Sequence, residues 1–307
     1  MKKIFIDGSV GTTGLRIYER LSARDDVMLM TLPEELRKDP AARKQALNSC
    51  DIAFLCLPDP AAIEAVGMIE NPHVTVIDAS TAHRTNEGWC YGFPELSETL
   101  REKLPTAKRI AVPGCHASGF ISLVYPLVEA GLISPSLGLC CHSVTGYSGG
   151  GKKMIAEYEA EERDFLLDAP RQYALGQTHK HLKEMKAITG LEKAPIFSPI
   201  VSDFYSGMTV TVPIFASDVK GGMEAIKQTY RTKYTGSIVS YVEHDGSGMI
   251  SAHDLAEKDS MKITVVGNEE RILLVAMYDN LGKGASGAAV ECMNYVLGAS
   301  PETGLEL

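Results

Sequence analysis

Cys115 stands in the run Ala111, Val112, Pro113, Gly114, Cys115, His116, Ala117, Ser118, Gly119, where an apolar stretch ends, a Pro-Gly turn intervenes and a helical pattern begins. This arrangement puts a thiol at a helix N-terminus. Unpaired backbone N–H groups and the positive end of the helix dipole there favour thiolate, the nucleophilic form of cysteine. The same N–H groups could hold the oxyanion formed when sulfur attacks a carbonyl. Free cysteines also serve as small buried hydrophobes. The other six, Cys50, Cys56, Cys90, Cys140, Cys141 and Cys292, give the comparison, and most lie in apolar runs.

Proton chemistry has candidates in His179 and His181, which flank Lys180 and precede Glu184 at the start of a helical pattern. A thioester mechanism needs an acid/base beside the sulfur, and imidazole titrates in the right range. A His-x-His pair could instead ligate a metal, but no further ligand cluster at a familiar spacing accompanies it, and no metal is expected. Surface histidines capping a helix are the plain alternative. A third feature is the turn Gly8, Ser9, Val10, Gly11, Thr12, Thr13, Gly14, with a strand before it and a helix after it. Such a turn lets the backbone approach a pyrophosphate at a helix N-terminus. Ser80 and Arg84 follow a strand at residues 74–78, at the sheet edge where ligands bind in open α/β folds. A guanidinium there offers a bidentate fork to a phosphate or carboxylate. Residues 145–153 read as a flexible loop with a basic end, and Gly149, Gly150, Gly151 and Lys152 within it are a second candidate anion site.

These groups need a scaffold, and the first half of the chain alternates strands with helices. Strands are expected at residues 3–6, 27–32, 51–58, 74–78 and 109–113, which implies a parallel sheet with crossover helices. No carboxylate ends the second strand. Glu34 and Glu35 follow it, with Arg37 and Lys38 just beyond, a pattern that favours NADP over NAD because a cation accepts a 2′-phosphate. Later segments at 137–144, 208–215, 237–242, 261–266 and 271–278 read as strands, several of them alternating, so a sheet with one face covered by helices is expected. Residues 285–297 read as a strong helix packed back on the first domain. The fold class is therefore α/β, with a Rossmann-type dinucleotide-binding domain at 1–115, an α+β catalytic and oligomerisation domain at 116–282, and a returning C-terminal helix at 283–307.

A chain of 307 residues suits about two domains. Seven cysteines with no Cys-x-x-Cys pair indicate neither a disulfide framework nor a zinc ribbon, so a reducing cytoplasm is expected. The apolar run after Lys3 stops at Asp7, too short for a signal-peptide core. The apolar helix after Cys115 is expected to be interrupted by Pro126 and Glu129, short of a membrane span. A net charge of −9 gives no basic footprint for nucleic acid.

Taken together, the Gly8 to Gly14 turn, residues 78–84, residues 93–96, Pro113-Gly114-Cys115, His179-Lys180-His181 and residues 279–287 resemble the N-acetyl-gamma-glutamyl-phosphate reductase family in its shorter form. Single motifs are shared with aspartate-semialdehyde dehydrogenase; the segment from Asn280 to Gly287 followed by a terminal helix is the most specific. His116-Ala117 and Leu182-Lys183 depart from the longer form of the family. The resemblance implies NADPH-dependent reduction of an acyl phosphate, N-acetyl-gamma-glutamyl phosphate, to its semialdehyde in arginine biosynthesis. Cys115 would be the nucleophile, and His181 or His179 the acid/base. Arg84, Ser80 and Glu184 would face the substrate, and residues 8–14 with Gly149 and Asn280 the cofactor. A homo-oligomer, dimer or tetramer, is implied as well. Aspartate-semialdehyde dehydrogenase, a related acyl-phosphate reductase and a non-catalytic dinucleotide-sensing protein remain as alternatives. A cysteine hydrolase would leave the Gly-rich turn without a role.

Overall fold

The computed structural model describes all 307 residues, which divide into two compact units: Met1–Gly114 with Ala285–Leu305, and Cys115–Gly284 with Glu306–Leu307. In the first unit, short β-branched and apolar runs make β1 (Lys2–Asp7), β2 (Val27–Met30), β3 (Ile52–Leu55), β4 (Thr75–Asp78), β5 (Cys90–Tyr91) and β6 (Arg109–Ala111). All pair in parallel in the order β2-β1-β3-β4-β6-β5. The helices α1 (Thr12–Ser22), α2 (Pro40–Ser49), α3 (Asp59–Gly67) and α4 (Glu98–Lys103) lie between them. β3 and β4 are buried at every residue, as strands covered on both faces must be. The chain turns in opposite directions from β1, with β2 on one side and β3 on the other. This is the switch point at which open α/β sheets take ligands.

The second unit begins with α5 (Cys115–Glu129) and continues through β7 (Cys140–Gly146), α6 (Gly151–Tyr158), β8 (Arg171–Gln172), α7 (His181–Thr189), β9 (Ile196–Ser202) and β10 (Met208–Phe215). It closes with α8 (Gly222–Lys233), β11 (Val239–Tyr241), β12 (Met261–Gly267) and β13 (Arg271–Tyr278). Its mixed sheet runs β11-β12-β13-β10-β7-β9-β8. Alternation along β10 buries Met208, Val210, Val212 and Ile214, and α5 packs on β10 and β13 while α8 packs on β11 and β12. The last helix, α9 (Gly287–Leu297), belongs to the first unit: Ala288, Ala289, Val290, Cys292 and Met293 join the core formed by Ile4, Ile6, Ile17 and Ile110.

Two expectations need correction. Pro126 does not end α5; the helix passes through it to Glu129. Proline supplies no N–H to the Ser122 carbonyl, and the Tyr234 hydroxyl donates there instead, at 2.6 Å. Nor are residues 145–153 a flexible loop. β7 runs through Gly146, Tyr147–Gly150 make a 3-10 turn and α6 starts at Gly151. The N–H groups of Tyr147 and Ser148 donate to the carbonyls of Phe204 and Tyr205, which fixes the turn. No helix is long and apolar enough to cross a membrane.

Candidate active site

In the first unit the chain leaves β1 at Gly8 with φ +89°, a conformation that disfavours any side chain. A Cβ on Gly8 would lie 2.3 Å from the Cys56 carbonyl oxygen, and one on Gly14 would lie 2.3 Å from that of Gly8. The turn is therefore glycine for steric reasons. No side chain caps α1 behind Gly11, so its first-turn N–H groups form the kind of N-terminus that receives phosphate. Beside it opens a cavity of about 560 Å³, with Gly8, Ser9, Val10, Glu34, Arg37 and Lys38 on its wall. Gly11, Thr12, Thr13 and Gly14 complete the turn and open α1. Arg43 braces the cavity floor: it is buried, donates to Asp7 at 3.0 and 3.1 Å, and reaches Glu64 at 3.1 Å.

Ser80 and Arg84, expected at the substrate, are buried, and hydrogen bonds within the first unit hold both. The Ser80 hydroxyl donates to Asp78 Oδ2 at 2.7 Å, and His83 Nδ1 lies 2.6 Å from the same oxygen, its ring stacked on Trp89. Arg84 donates from Nε to the Val112 carbonyl at 2.8 Å and from Nη2 to that of Ala79 at 3.1 Å. Irregular backbone at the end of β4 needs donors for its buried carbonyls, and Arg84 supplies them. Arg84 thus braces the segment that leads into Pro113.

In the second unit Cys115 is the first residue of α5 and lines a cavity of about 220 Å³ together with His116, Gly149, Tyr173, His179 and His181. Tyr278 meets the first turn of α5: its hydroxyl donates to the Cys115 carbonyl and accepts from the Gly119 N–H at 3.1 Å. Gly119 makes this possible, since a Cβ there would lie 2.6 Å from the Tyr278 oxygen. Gly284 approaches from the other side, where a Cβ would sit 3.1 Å from the Cys115 Cβ. Gly119 and Gly284 thus admit Tyr278 and residues 279–284 close to Cys115.

The histidines reach the cavity through a strained connection. Ala174 and Gln177 adopt φ of 51° and 54°, and the Gln177 amide pairs with Phe197 like a strand, donating to its carbonyl at 2.7 Å and accepting from its N–H at 2.9 Å. Tyr173 and His179 flank this loop. His179 stands just before α7 and His181 is its first residue, their rings 4.6 Å apart and edge to face. The His181 N–H lies 3.2 Å from His179 Nδ1, which therefore accepts. Glu184 is buried one turn further along α7. No group of three or more His, Cys, Asp or Glu side chains is placed to hold a metal ion.

Asn280 was expected at the cofactor, but its amide is used inside this unit. Oδ1 accepts from the Gly207 N–H at 3.0 Å and Nδ2 donates to the Ser148 hydroxyl at 2.9 Å, beside Gly149. It holds the turn that forms the cavity wall. Lys152 lies exposed on α6, outside the wall that Gly149 and Gly150 provide. Sequence reasoning missed His116 and Tyr173. His116 is buried, with Nδ1 2.7 Å from the Ser143 hydroxyl and Nε2 2.6 Å from that of Tyr173. Burial, with a smaller contribution from His179, pushes its imidazole down to about 3. Its position next to Cys115 was the only local signal.

A parallel-sheet unit with a Gly-rich groove, followed in the chain by one carrying a thiol at a helix start and two imidazoles, fits the class of aldehyde and acyl-phosphate oxidoreductases. Family models agree: residues 24–104 match the semialdehyde dehydrogenase NAD binding domain and residues 115–280 the semialdehyde dehydrogenase dimerisation domain. The chain is 45% identical to N-acetyl-gamma-glutamyl-phosphate reductase of Sinorhizobium medicae, over 97% of this chain and 99% of the relative. It is 42% identical to N-acetyl-gamma-glutamyl-phosphate reductase 2 of a Nostoc species, over 99% of both. The chain belongs to the N-acetyl-gamma-glutamyl-phosphate reductase family. Its fold is shared with aspartate semialdehyde dehydrogenase II of Vibrio cholerae complexed with ASA, at TM-score 0.71 and 16% identity over 97% and 98% of the chains. It is also shared with aspartate semialdehyde dehydrogenase with NADP from Candida albicans, at TM-score 0.68 and 16% identity over 97% and 99%.

Proposed function

We propose that this chain reduces N-acetyl-gamma-glutamyl phosphate to N-acetylglutamate semialdehyde with NADPH, as a step of arginine biosynthesis. The observation that carries the reading is Cys115 at the first residue of α5, sharing one cavity with His179 and His181. The relatives at 42–45% identity support the acetylated substrate.

The cofactor fits the groove of the first unit. Gly8 and Gly14 leave space no Cβ could share, the start of α1 offers N–H groups to a pyrophosphate, and Arg37 and Lys38 suit a 2′-phosphate. When bound, NADPH supplies the hydride. Cys115 thiolate attacks the acyl carbon, forming a C–S bond and a tetrahedral oxyanion; collapse breaks the bond to the phosphate oxygen, and inorganic phosphate leaves a thioester. After hydride addition the thiohemiacetal oxyanion collapses to the aldehyde and returns the electron pair to sulfur. N–H groups at the start of α5 stabilise both oxyanions.

Because His179 Nδ1 accepts from the main chain, Nε2 is the ring nitrogen that carries hydrogen and donates to a substrate oxygen. His181 is then the group that takes the thiol proton, and buried Glu184 helps to orient α7. Small-molecule turnover by a dimer or tetramer in the cytoplasm completes the reading.

The test is phosphate-dependent reduction of NADP by N-acetylglutamate semialdehyde, with aspartate semialdehyde as the control. Turnover of the acetylated aldehyde alone, lost in Cys115→Ser, is the expected result. Turnover of aspartate semialdehyde alone would move the chain to the sister activity. Activity surviving in Cys115→Ser would remove the thioester step.

A further inference from the structure

We propose that Ser143, His116 and Tyr173 form a polarised hydrogen-bond chain that aims the Tyr173 hydroxyl hydrogen into the thiol cavity, where it is donated to an oxygen of the acyl substrate. Tyr173 is thus a substrate-contacting residue, and His116 and Ser143 are its positioning residues. The substrate's identity rests on the reading above; the polarity of the chain does not.

Ser143 lies on β7, fully buried, and the partner of its hydroxyl is His116 Nδ1 at 2.7 Å. A serine hydroxyl can donate or accept, but a buried O–H left without an acceptor loses its hydrogen bond to water with nothing in return. Ser143 therefore donates, and Nδ1 accepts. Buried at the start of α5, His116 stays neutral in the physiological range, so it carries one ring hydrogen, on Nε2. That hydrogen goes to Tyr173 Oη, 2.6 Å away.

The phenol oxygen is then an acceptor on its inner side. No other protein atom hydrogen-bonds to it, and the side chain lines the same cavity as Cys115. Burial and the charge of Cys115 both hold Tyr173 in its protonated form, so it presents an O–H and not a phenolate. Reversing every bond would turn the Tyr173 hydrogen into the wall and strand the hydrogen of Ser143. The chain therefore has a preferred direction, set 27 residues from the histidine and read out 57 residues from it.

Two measurements on the intact protein test this. Nitrogen-15 NMR of histidine-labelled protein reads the His116 tautomer with no substrate present. The expected signal is an unprotonated Nδ1 and a protonated Nε2, redistributed in Ser143→Ala and restored in Ser143→Thr. A protonated Nδ1 in the parent protein overturns the proposal. Steady-state kinetics form the second arm. Tyr173→Phe is expected to lower kcat/KM for the acyl substrate at least tenfold, through KM if the oxygen is met in the ground state and through kcat if it is met as the oxyanion. Ser143→Ala should show a smaller loss of the same kind, rescued by Ser143→Thr, while iodoacetamide alkylates Cys115 at the parent rate. Parent-like kcat and KM in Tyr173→Phe also overturn the proposal. If the parent protein fails to turn over the acetylated substrate, the functional reading falls and the NMR arm still decides the chain.

Discussion

His116 shows how a single side chain can couple a site to stability. Its imidazole titrates near 6.5 when unfolded and is pushed down to about 3 in the fold by burial. Between those values the unfolded chain binds a proton that the native chain refuses. Stability is therefore full above the unfolded value and falls as the pH drops, by about 1.4 kcal/mol per pH unit for this one group. Urea unfolding midpoints for the parent and His116→Asn between pH 7 and pH 4.5 measure it; the variant is expected to show a shallower decline, and parallel curves would remove the assignment. Arg37 and Lys38 pose a different question at the same scale. Both line the first unit's groove, and charge-assisted bonds to a 2′-phosphate contribute about 1.5–3 kcal/mol each. Replacing both with serine should raise KM for NADPH by more than tenfold and leave KM for NADH nearly unchanged, as parallel cofactor titrations would reveal.

At the scale of elements, the first turn of α5 packs closely on a phenol, the Tyr278 hydroxyl that bonds the Cys115 carbonyl and the Gly119 N–H. Adding a methyl at Gly119 would press on both the Tyr278 oxygen and Val210, each 2.6 Å from the new Cβ. Gly119→Ala is therefore expected to destabilise by about 1–3 kcal/mol, the range for overpacking, despite alanine's better helix propensity. Thermal unfolding would show the sign, and a stabilised variant would mean that Tyr278 and Val210 give way to the new methyl at little cost. The loop before α7 offers a complementary case. Ala174 holds φ 51°, where glycine pays no steric penalty, so Ala174→Gly should leave stability equal or higher. Features such as the Gly8 turn and the thiol at the start of α5 were legible because each is built from neighbours in sequence. The triad of Ser143, His116 and Tyr173 was not, because the register of β7 on β9 and the strained loop bring it together across the second unit. Arg84 and Asn280 were only half legible for a related reason: local sequence shows a capable side chain, while only the fold shows which buried carbonyl or N–H it also satisfies.

For the molecule as a whole, the decisive fact is that the first unit is assembled from both ends of the chain. Residues 285–305 return to it after the entire second unit has been traversed. α9 buries Gly287 to Asn294 without a break, and Asn294 accepts from Arg24 at 2.5 Å and donates to the carbonyls of Pro301 and Thr303. Burial of Val290 and Met293 alone contributes about 1.5–3 kcal/mol each, a large share of the 5–15 kcal/mol that holds a typical domain together. The parallel sheet of β1 to β6 therefore cannot complete its core until the C-terminal segment is present. A fragment of residues 1–114 should unfold with a broad, weakly cooperative transition and bind a hydrophobic dye. Adding a peptide of residues 285–307 should restore a single sharp transition whose midpoint rises with peptide concentration, because the peptide binds the folded form. A fragment that unfolds sharply on its own would show that α9 covers a core already sufficient without it.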